Sequence, residues 1–139
     1  MALNPSKSSC LFCKFVHTKE NLLYEDEQVY VFNDFRPKAP VHFLVIPKRH
    51  LRDSSHIISE GDLVLVEHMI KVAKEYVKSN FKQYKIKDDM QLHFHKPLFT
   101  MVKHLHLHVL VGPLTLGGKL FFCKCMSNDP KMFTRKHFY

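Results

Sequence analysis

The sequence lacks the features of membrane, secreted and low-complexity proteins. Its 139 residues include no tryptophan, only four glycines and only four cysteines. Apolar residues never run to the roughly 18 in succession that a transmembrane helix needs. Residues 1–9 lack the apolar segment of a signal peptide and are expected to form a loose tail. We therefore expect a reducing location, cytoplasmic or nuclear, where cysteines stay as thiols or bind metal, and no membrane partner.

Basic residues outnumber acidic ones. Twenty-one lysines and arginines against 13 aspartates and glutamates give a formal charge of +8, and 45% of the residues are hydrophobic. The apolar content predicts one globular domain, residues 10–139. The positive charge favours phosphate-bearing partners, and it does not distinguish a mononucleotide from a nucleic acid.

The most informative motif is a row of alternating histidines within residues 101–112. Strict alternation of polar and apolar residues predicts a β-strand. Successive side chains of a strand point to opposite faces, so the imidazoles share one face, with Cα atoms roughly 7 Å apart, and the apolar side chains form a core face. Such a row can hold a phosphate, bind a metal or transfer protons, and a solvated strand face is the alternative. The histidines are His104, His106 and His108.

The remaining periodicity predicts an antiparallel α+β fold in the order β-β-β-α-β-β. Ser59 and Asp62 form a cap motif before a helix that ends near residue 79 or 80. Two prolines make residues 36–40 a loop. Strands are expected at residues 22–24, 29–32, 41–46 and 90–95, with a further strand at Leu120–Cys125.

Two cysteines stand in a C-x-x-C arrangement near the N-terminus. Cys10 and Cys13 supply half of a tetrahedral zinc site. A redox pair and two buried thiols are the alternatives. Cys123 and Cys125 offer a second, weaker metal-site candidate.

The seven residues from His104 to Leu110 fit the signature of the histidine triad (HIT) superfamily of nucleotide hydrolases and transferases, His-φ-His-φ-His-φ-φ, where φ is apolar. Other segments resemble the Hint branch of that superfamily. The third Hint class is the best match, and aprataxin is a more distant one. The matching segments are residues 10–15, 32–42, 45–51 and 94–97.

This resemblance implies an α+β HIT fold with about five antiparallel strands, one long helix, a short terminal helix and a homodimer. It also implies binding of a purine mononucleotide (AMP, GMP or a phosphoramidate). The reaction is hydrolysis of adenosine 5′-phosphoramidates or AMP-acylated amines through AMP bound to His106, with release of AMP. No cofactor is required for catalysis, and nucleic acid is a less favoured partner.

The resemblance assigns roles to further residues. His104 and His108 hold phosphate oxygens or the leaving group, His50 orients or relays a proton, and a main-chain carbonyl beside the third histidine holds the ring of His106. Asp34 accepts hydrogen bonds from the ribose, although it can equally cap a turn. The family often has a serine three residues before the triad, where this sequence has Met101, so either Thr100 substitutes for that serine or its hydrogen bond is absent. The base pocket consists of Leu11, Phe12, Phe15, Phe32 and Phe35, for which plain core packing is the alternative.

Two further interpretations concern metal and the other histidines. By resemblance, a structural zinc binds Cys10, Cys13, His50 and His104, which would withdraw both histidines from catalysis. His42, His93 and His95 are expected to have structural or surface roles.

Three alternatives to the phosphoramidase remain. One is an aprataxin-like hydrolase that removes AMP from adenylated DNA ends. Another is a metalloenzyme, since His-x-His on a strand is a common zinc pair. The third is a nucleotide-binding interaction module with weak activity.

Overall fold

A computed structural model describes Cys10, Phe12, Cys13, residues 21–96, residues 102–125 and Pro130, with the backbone alone for residues 121–125. The predicted α+β class is confirmed. Within the described residues, no helix has the length and apolar character needed to cross a bilayer.

Five strands form one antiparallel sheet in the order β1-β2-β3-β5-β4. The central strand, β3, is almost entirely buried, because its apolar residues face core on both sides of the sheet. The turn before β2 is closed by the Asp26 carboxylate, which accepts hydrogen bonds from the backbone N–H groups of Gln28 and Val29. The strands are β1 (Leu22–Glu25), β2 (Val29–Asn33), β3 (Val41–Pro47), β4 (Met90–His93) and β5 (Leu107–Val111).

The long helix, α1 (Glu60–Asn80), begins and ends where the sequence predicts. Ser59 accepts a hydrogen bond from the Asp62 N–H, and the Asp62 carboxylate accepts one from the Ser59 N–H, which completes a capping box. The helix has an apolar stripe with residues three or four positions apart, and all five are buried in the core with the sheet: Leu63, Val66, Ile70, Ala73 and Val77.

Two shorter helices follow, α2 (Ile86–Asp89) and α3 (Leu116–Cys125). The strand predicted at Leu120–Cys125 is wrong, because these residues form the second half of α3, the terminal helix that the family resemblance implies. The Thr115 hydroxyl accepts a hydrogen bond from the Gly118 N–H, and the Lys119 N–H donates to the Thr115 carbonyl. These two bonds start a helix, and this local capping outweighs the apolar run that suggested a strand.

The sheet separates two apolar clusters. The face toward α1 carries Leu107, Val109 and Val111, which pack with the helix stripe. The opposite face carries Phe32, Leu44 and Ile46, which pack against Cys10 and Phe12.

The histidine row is only partly a strand. Of residues 101–112, β5 contains 107–111, and His104 to His106 precede it. The Leu105 N–H donates to the Leu51 carbonyl, which follows β3, at 2.6 Å. The chain therefore leaves the regular ladder before β5 begins, and the predicted twelve-residue strand is too long.

Candidate functional site

The three histidines of the row are buried on the face opposite α1, with exposed fractions of 1%, 6% and 5% for His104, His106 and His108. The intervening leucines and valine belong to the helix-side core, as the alternation predicts. The rings of His106 and His108 lie 5.0 Å apart, whereas the ring of His104 faces Cys10. The row therefore serves two neighbouring groups of side chains.

The ring of His106 is held by a main-chain carbonyl. Its Nδ1 lies 2.7 Å from the His104 carbonyl oxygen. Because that oxygen only accepts, Nδ1 carries the proton and Nε2 keeps its lone pair. The expected carbonyl beside the third histidine is wrong, since the acceptor belongs to the first. Burial, with smaller contributions from His95 and His104, lowers the pKa of His106 to about 3.

A chain of hydrogen bonds fixes the tautomers of three further histidines. The Lys38 backbone N–H donates to His42 Nδ1 at 3.0 Å, so neutral His42 carries its proton on Nε2. That proton is donated to His108 Nδ1 at 2.8 Å. His108 consequently carries its own proton on Nε2 and donates it to His95 Nε2 at 3.1 Å. Burial lowers the pKa values of all three rings, which keeps them neutral at pH 7.

Asp34 lies beside the hydrogen-bonded histidines His42 and His108. Its Oδ1 accepts a hydrogen bond from the Arg36 N–H at 2.7 Å, so the turn-capping role is present. Its Oδ2 lies 3.5 Å from His42 Nε2 and 3.8 Å from His108 Nδ1. One carboxylate oxygen thus closes the loop, while the other lies next to the histidines.

An apolar pocket adjoins the nucleophile candidate. The Phe12 ring, which lines it, meets the His106 ring edge-on at 4.9 Å. Phe35, 70% exposed, lies at the pocket edge. An apolar hollow of this kind suits a planar base. Three predicted nucleotide contacts, Leu11, Phe15 and Thr100, lie outside the described residues. The lining residues are Phe12, Asn21, Phe32, Asn33, Phe35, Leu44 and Ile46.

A Cys2His2 cluster forms beside His106. The Nδ1 atom of His104 lies 3.5 Å from Cys10 Sγ, 3.4 Å from Cys13 Sγ and 3.0 Å from His50 Nδ1. The distance from Cys13 Sγ to His50 Nδ1 is 3.5 Å. Ideal tetrahedral zinc places S and N ligands about 3.6 Å apart and two N ligands about 3.3 Å apart. The four side chains fit zinc.

The other nitrogen of His104 supports the same interpretation. His104 Nε2 lies 2.8 Å from the Pro47 carbonyl oxygen, so Nε2 donates its proton and Nδ1 presents a lone pair to the cysteines. A ligating histidine commonly has such a second hydrogen bond. His50 and His104 therefore face the cluster, whereas the resemblance implies that His104 holds a phosphate oxygen or the leaving group and that His50 orients or relays a proton.

His95 is a site residue whose position the sequence analysis missed. Its ring centroid lies 4.9 Å from those of both His106 and His108. The strand register explains this position, because His93 pairs with His108 across β4 and β5, which places His95 opposite His106 on the same face. His42, expected to be structural or superficial, is likewise a buried partner of His108.

Comparison with known proteins agrees with this geometry. The family model described as "Scavenger mRNA decapping enzyme C-term binding" matches residues 9–119. Adenosine 5′-monophosphoramidase HINT3 of Xenopus tropicalis is 34% identical over 112 residues, which cover 78% of this chain and 71% of that protein. Bifunctional adenosine 5′-phosphosulfate phosphorylase/adenylylsulfatase HINT4 of Arabidopsis thaliana is 36% identical over 108 residues, covering 76% and 71%.

Solved structures give the same family. A histidine triad protein from Clostridium difficile superposes with a TM-score of 0.65 at 31% identity, covering 76% of this chain and 92% of that one. A HIT family hydrolase from Clostridium thermocellum superposes with a TM-score of 0.66 at 30% identity, covering 76% and 91%. The resemblance that the sequence motifs carry is thus confirmed, and the chain belongs to the Hint branch of the histidine triad superfamily of nucleotide hydrolases and transferases.

Proposed function

We propose that this protein hydrolyses adenosine 5′-phosphoramidates and AMP-acylated amines through a covalent AMP–histidine intermediate on His106. The observation that carries the proposal is the hydrogen bond from His106 Nδ1 to the His104 carbonyl. It leaves the Nε2 lone pair of a neutral, buried imidazole beside a pocket with an aromatic lining that suits a planar base. A nucleophilic imidazole needs this combination of one held and one free nitrogen.

In the first step, His106 Nε2 forms a bond to the α-phosphorus, and the bond from phosphorus to the leaving nitrogen breaks. The electron pair of that bond goes to the leaving nitrogen, which takes a proton and departs as an amine. His108, with its proton on Nε2, is the hydrogen-bond donor next to His106, and His95 is its hydrogen-bonded neighbour. Because both rings are neutral, the leaving nitrogen takes its proton from solvent. These rings also offer donors to the phosphate oxygens as negative charge develops on them.

In the second step, water attacks the phosphorus and the bond to His106 Nε2 breaks. The proton that water loses goes to solvent and balances the proton that the leaving nitrogen took up, which restores the starting protonation. The net reaction is phosphoramidate plus water to AMP plus amine. Asp34 Oδ2, next to His108, is placed to accept hydrogen bonds from the ribose hydroxyls.

A structural zinc bound by Cys10, Cys13, His50 and His104 is part of this proposal. A closed set of four protein ligands stabilises the fold and leaves no open position for substrate. His95, His106 and His108 also bring one candidate ligand atom each within 4.8 Å of one another. However, the Lys38 N–H fixes the tautomer of His42, and His42 in turn donates to His108 Nδ1, so the proton of His108 is on Nε2. A nitrogen that binds a metal must be deprotonated. We therefore favour covalent catalysis over the metalloenzyme alternative.

The decisive experiment is incubation with an adenosine 5′-phosphoramidate, rapid quenching, digestion and mass spectrometry. We expect an AMP adduct on the peptide that contains His106. The His106→Asn variant should lose the adduct and at least about a thousandfold in kcat while it still binds AMP. His56→Ala is the matched control, because the hydrogen-bond partner of His56 is Asp53. This variant should hydrolyse the substrate at the wild-type rate. An adduct on another residue, or turnover that survives His106→Asn, would contradict the proposal.

A further inference from the structure

A second hollow opens beside His106, apart from the aromatic pocket. Arg52, Asp53 and Ser54 line it from the segment that follows β3, and His95 and His106 line it from the site, together with His104 and Leu105. The two hollows share no lining residue. If the base occupies the aromatic pocket, the group that phosphorus releases can lie over this second hollow, which is small and partly open to solvent.

The segment that carries Arg52 is fixed relative to the histidines on both sides. The Leu51 carbonyl accepts the Leu105 N–H, at the residue between the first and second histidines of the row. The Ser54 hydroxyl donates to the His95 carbonyl at 3.4 Å. Between these two anchors, Arg52 has a defined position beside His95 and His106, although its side chain is exposed.

Arg52 is the one cationic residue among those that line this hollow. Asp53 is its one acidic lining residue, and that carboxylate caps its own 3-10 turn, where it accepts hydrogen bonds from Ser55 and His56. Within the part of the chain that the structure describes, no ion pair joins Arg52 to a carboxylate. Lys103, next to His104 in sequence, is also exposed. A guanidinium placed this way offers a planar pair of donors that suits a carboxylate, a sulfate or a phosphate.

We propose that Arg52 binds an anionic group on the leaving group, so that the preferred substrates are AMP conjugates whose departing part carries a negative charge. This inference rests on the proposed function and leaves its chemistry unchanged. His106 Nε2 still bonds to phosphorus, the bond to the leaving nitrogen still breaks, and the amine departs with its proton and its anion. Arg52 acts on the part of the substrate that the base pocket does not contact.

The test compares two substrates that differ in one charge, AMP joined through nitrogen to β-alanine and to β-alaninamide. We expect wild-type kcat/KM to favour the carboxylate conjugate by about tenfold, after correction for the difference in amine basicity. Arg52→Ala should remove this preference while it leaves kcat/KM for the amide conjugate nearly unchanged. Lys103→Ala, which removes a nearby cation that does not line the hollow, is the matched control and should retain the preference.

A binding measurement separates this inference from the proposed function. In His106→Asn, which cannot form the intermediate, calorimetry should show tighter binding of the carboxylate conjugate and loss of that difference when Arg52→Ala is added. Equal affinities before Arg52→Ala, or a preference that survives it, would overturn the inference. An equal loss for both conjugates would place Arg52 on the α-phosphate and overturn it as well. Failure of both conjugates to turn over in wild type would instead count against the proposed function.

Discussion

The His104 carbonyl oxygen accepts the Nδ1 proton of His106 at 2.7 Å, while the His104 ring faces the two cysteines of the C-x-x-C motif. One residue therefore connects the Cys2His2 cluster to the nucleophile candidate. Its side chain is held by the cluster and by the Pro47 carbonyl, and its backbone holds the ring of His106. The orientation of the free Nε2 lone pair consequently depends on the integrity of the cluster.

The first prediction concerns His50, for which the sequence suggested both a catalytic and a metal-binding role. We expect His50→Ala to reduce bound zinc well below one ion per chain and to lower the melting temperature, because a structural zinc site contributes directly to folding. Turnover should fall with it, since His104 loses its fixed position. Metal content by mass spectrometry and thermal unfolding by circular dichroism measure both effects.

His56→Ala is the control for that variant, because His56 is bonded to Asp53 and lies outside the cluster. It should keep its zinc and its melting temperature. If His50→Ala retains zinc and stability but loses turnover, His50 acts in catalysis and the zinc assignment is wrong.

The second prediction concerns His42, which sets the tautomer of His108. His42→Ala removes the donor to His108 Nδ1, so the His108 proton can redistribute between its two nitrogens. We expect kcat to fall by about 10- to 100-fold with little change in KM, in the range of a general acid–base contribution. Nitrogen-15 NMR of the histidine side chains should show His108 protonated on Nε2 in wild type and a mixture in the variant.

His68→Ala provides the comparison, because the hydrogen-bond partner of His68 is Asp26, at the turn before β2. Its kcat and the His108 nitrogen shifts should match wild type. Unchanged nitrogen shifts in His42→Ala would contradict the tautomer assignment even if the rate fell.

Sequence periodicity was sufficient to predict the helix and the strand that bury a continuous apolar face. Helix α1 and strand β3 have strong periodic patterns, and the α1 cap follows from Ser59 and Asp62 alone. Residues 120–125 were misassigned because their apolar run has no clear period, and the bond from Gly118 to Thr115 that starts the helix was overlooked.

The residues of the candidate site could be predicted from the sequence only where they belong to a recognisable motif. The C-x-x-C motif and the histidine row suggested Cys10, Cys13 and His106 directly. The roles of His42 and His95 depend on strand register, since β3 and β4 both flank β5. Strand order of this kind arises from long-range pairing, which a local pattern does not specify. The position of Arg52 likewise depends on the bond between Leu51 and Leu105.

The third prediction concerns Asp34 and the ribose. In Asp34→Asn, the amide oxygen can still accept the Arg36 N–H, so the loop should keep its shape. The second carboxylate oxygen is replaced by a donor, and we expect KM for an adenosine phosphoramidate to rise about tenfold. The 2′,3′-dideoxy substrate should show a similar KM in wild type and variant, because it lacks the hydroxyls that Asp34 contacts. Steady-state kinetics on both substrates measure this, and equal losses on the two would exclude the ribose role.

The last prediction concerns stability and its dependence on pH. Asp62 is buried at the start of α1, where its carboxylate accepts hydrogen bonds from the N–H groups of Ile58 and Ser59 and forms an ion pair with Arg49 at 2.6 Å. Burial alone raises the pKa of Asp62, but the hydrogen bonds from Ser59, Arg49 and Ile58 together lower it well below its usual range. Because the pKa is lower in the folded protein than in the unfolded chain, the ionised carboxylate stabilises the fold.

This contribution is fully present above the unfolded pKa, near 4, and is lost as pH falls from there through the lower folded value. We expect Asp62→Asn to reduce the free energy of unfolding by about 1–3 kcal/mol at pH 7. The difference from wild type should shrink between about pH 4 and pH 2 as the native carboxylate becomes protonated. Urea unfolding at pH 7, 5 and 3 measures it. Asp88→Asn, at an exposed aspartate in α2, is the control and should change stability little at any pH. A difference that stays constant down to pH 2 would show that the charge of Asp62 does not stabilise the cap.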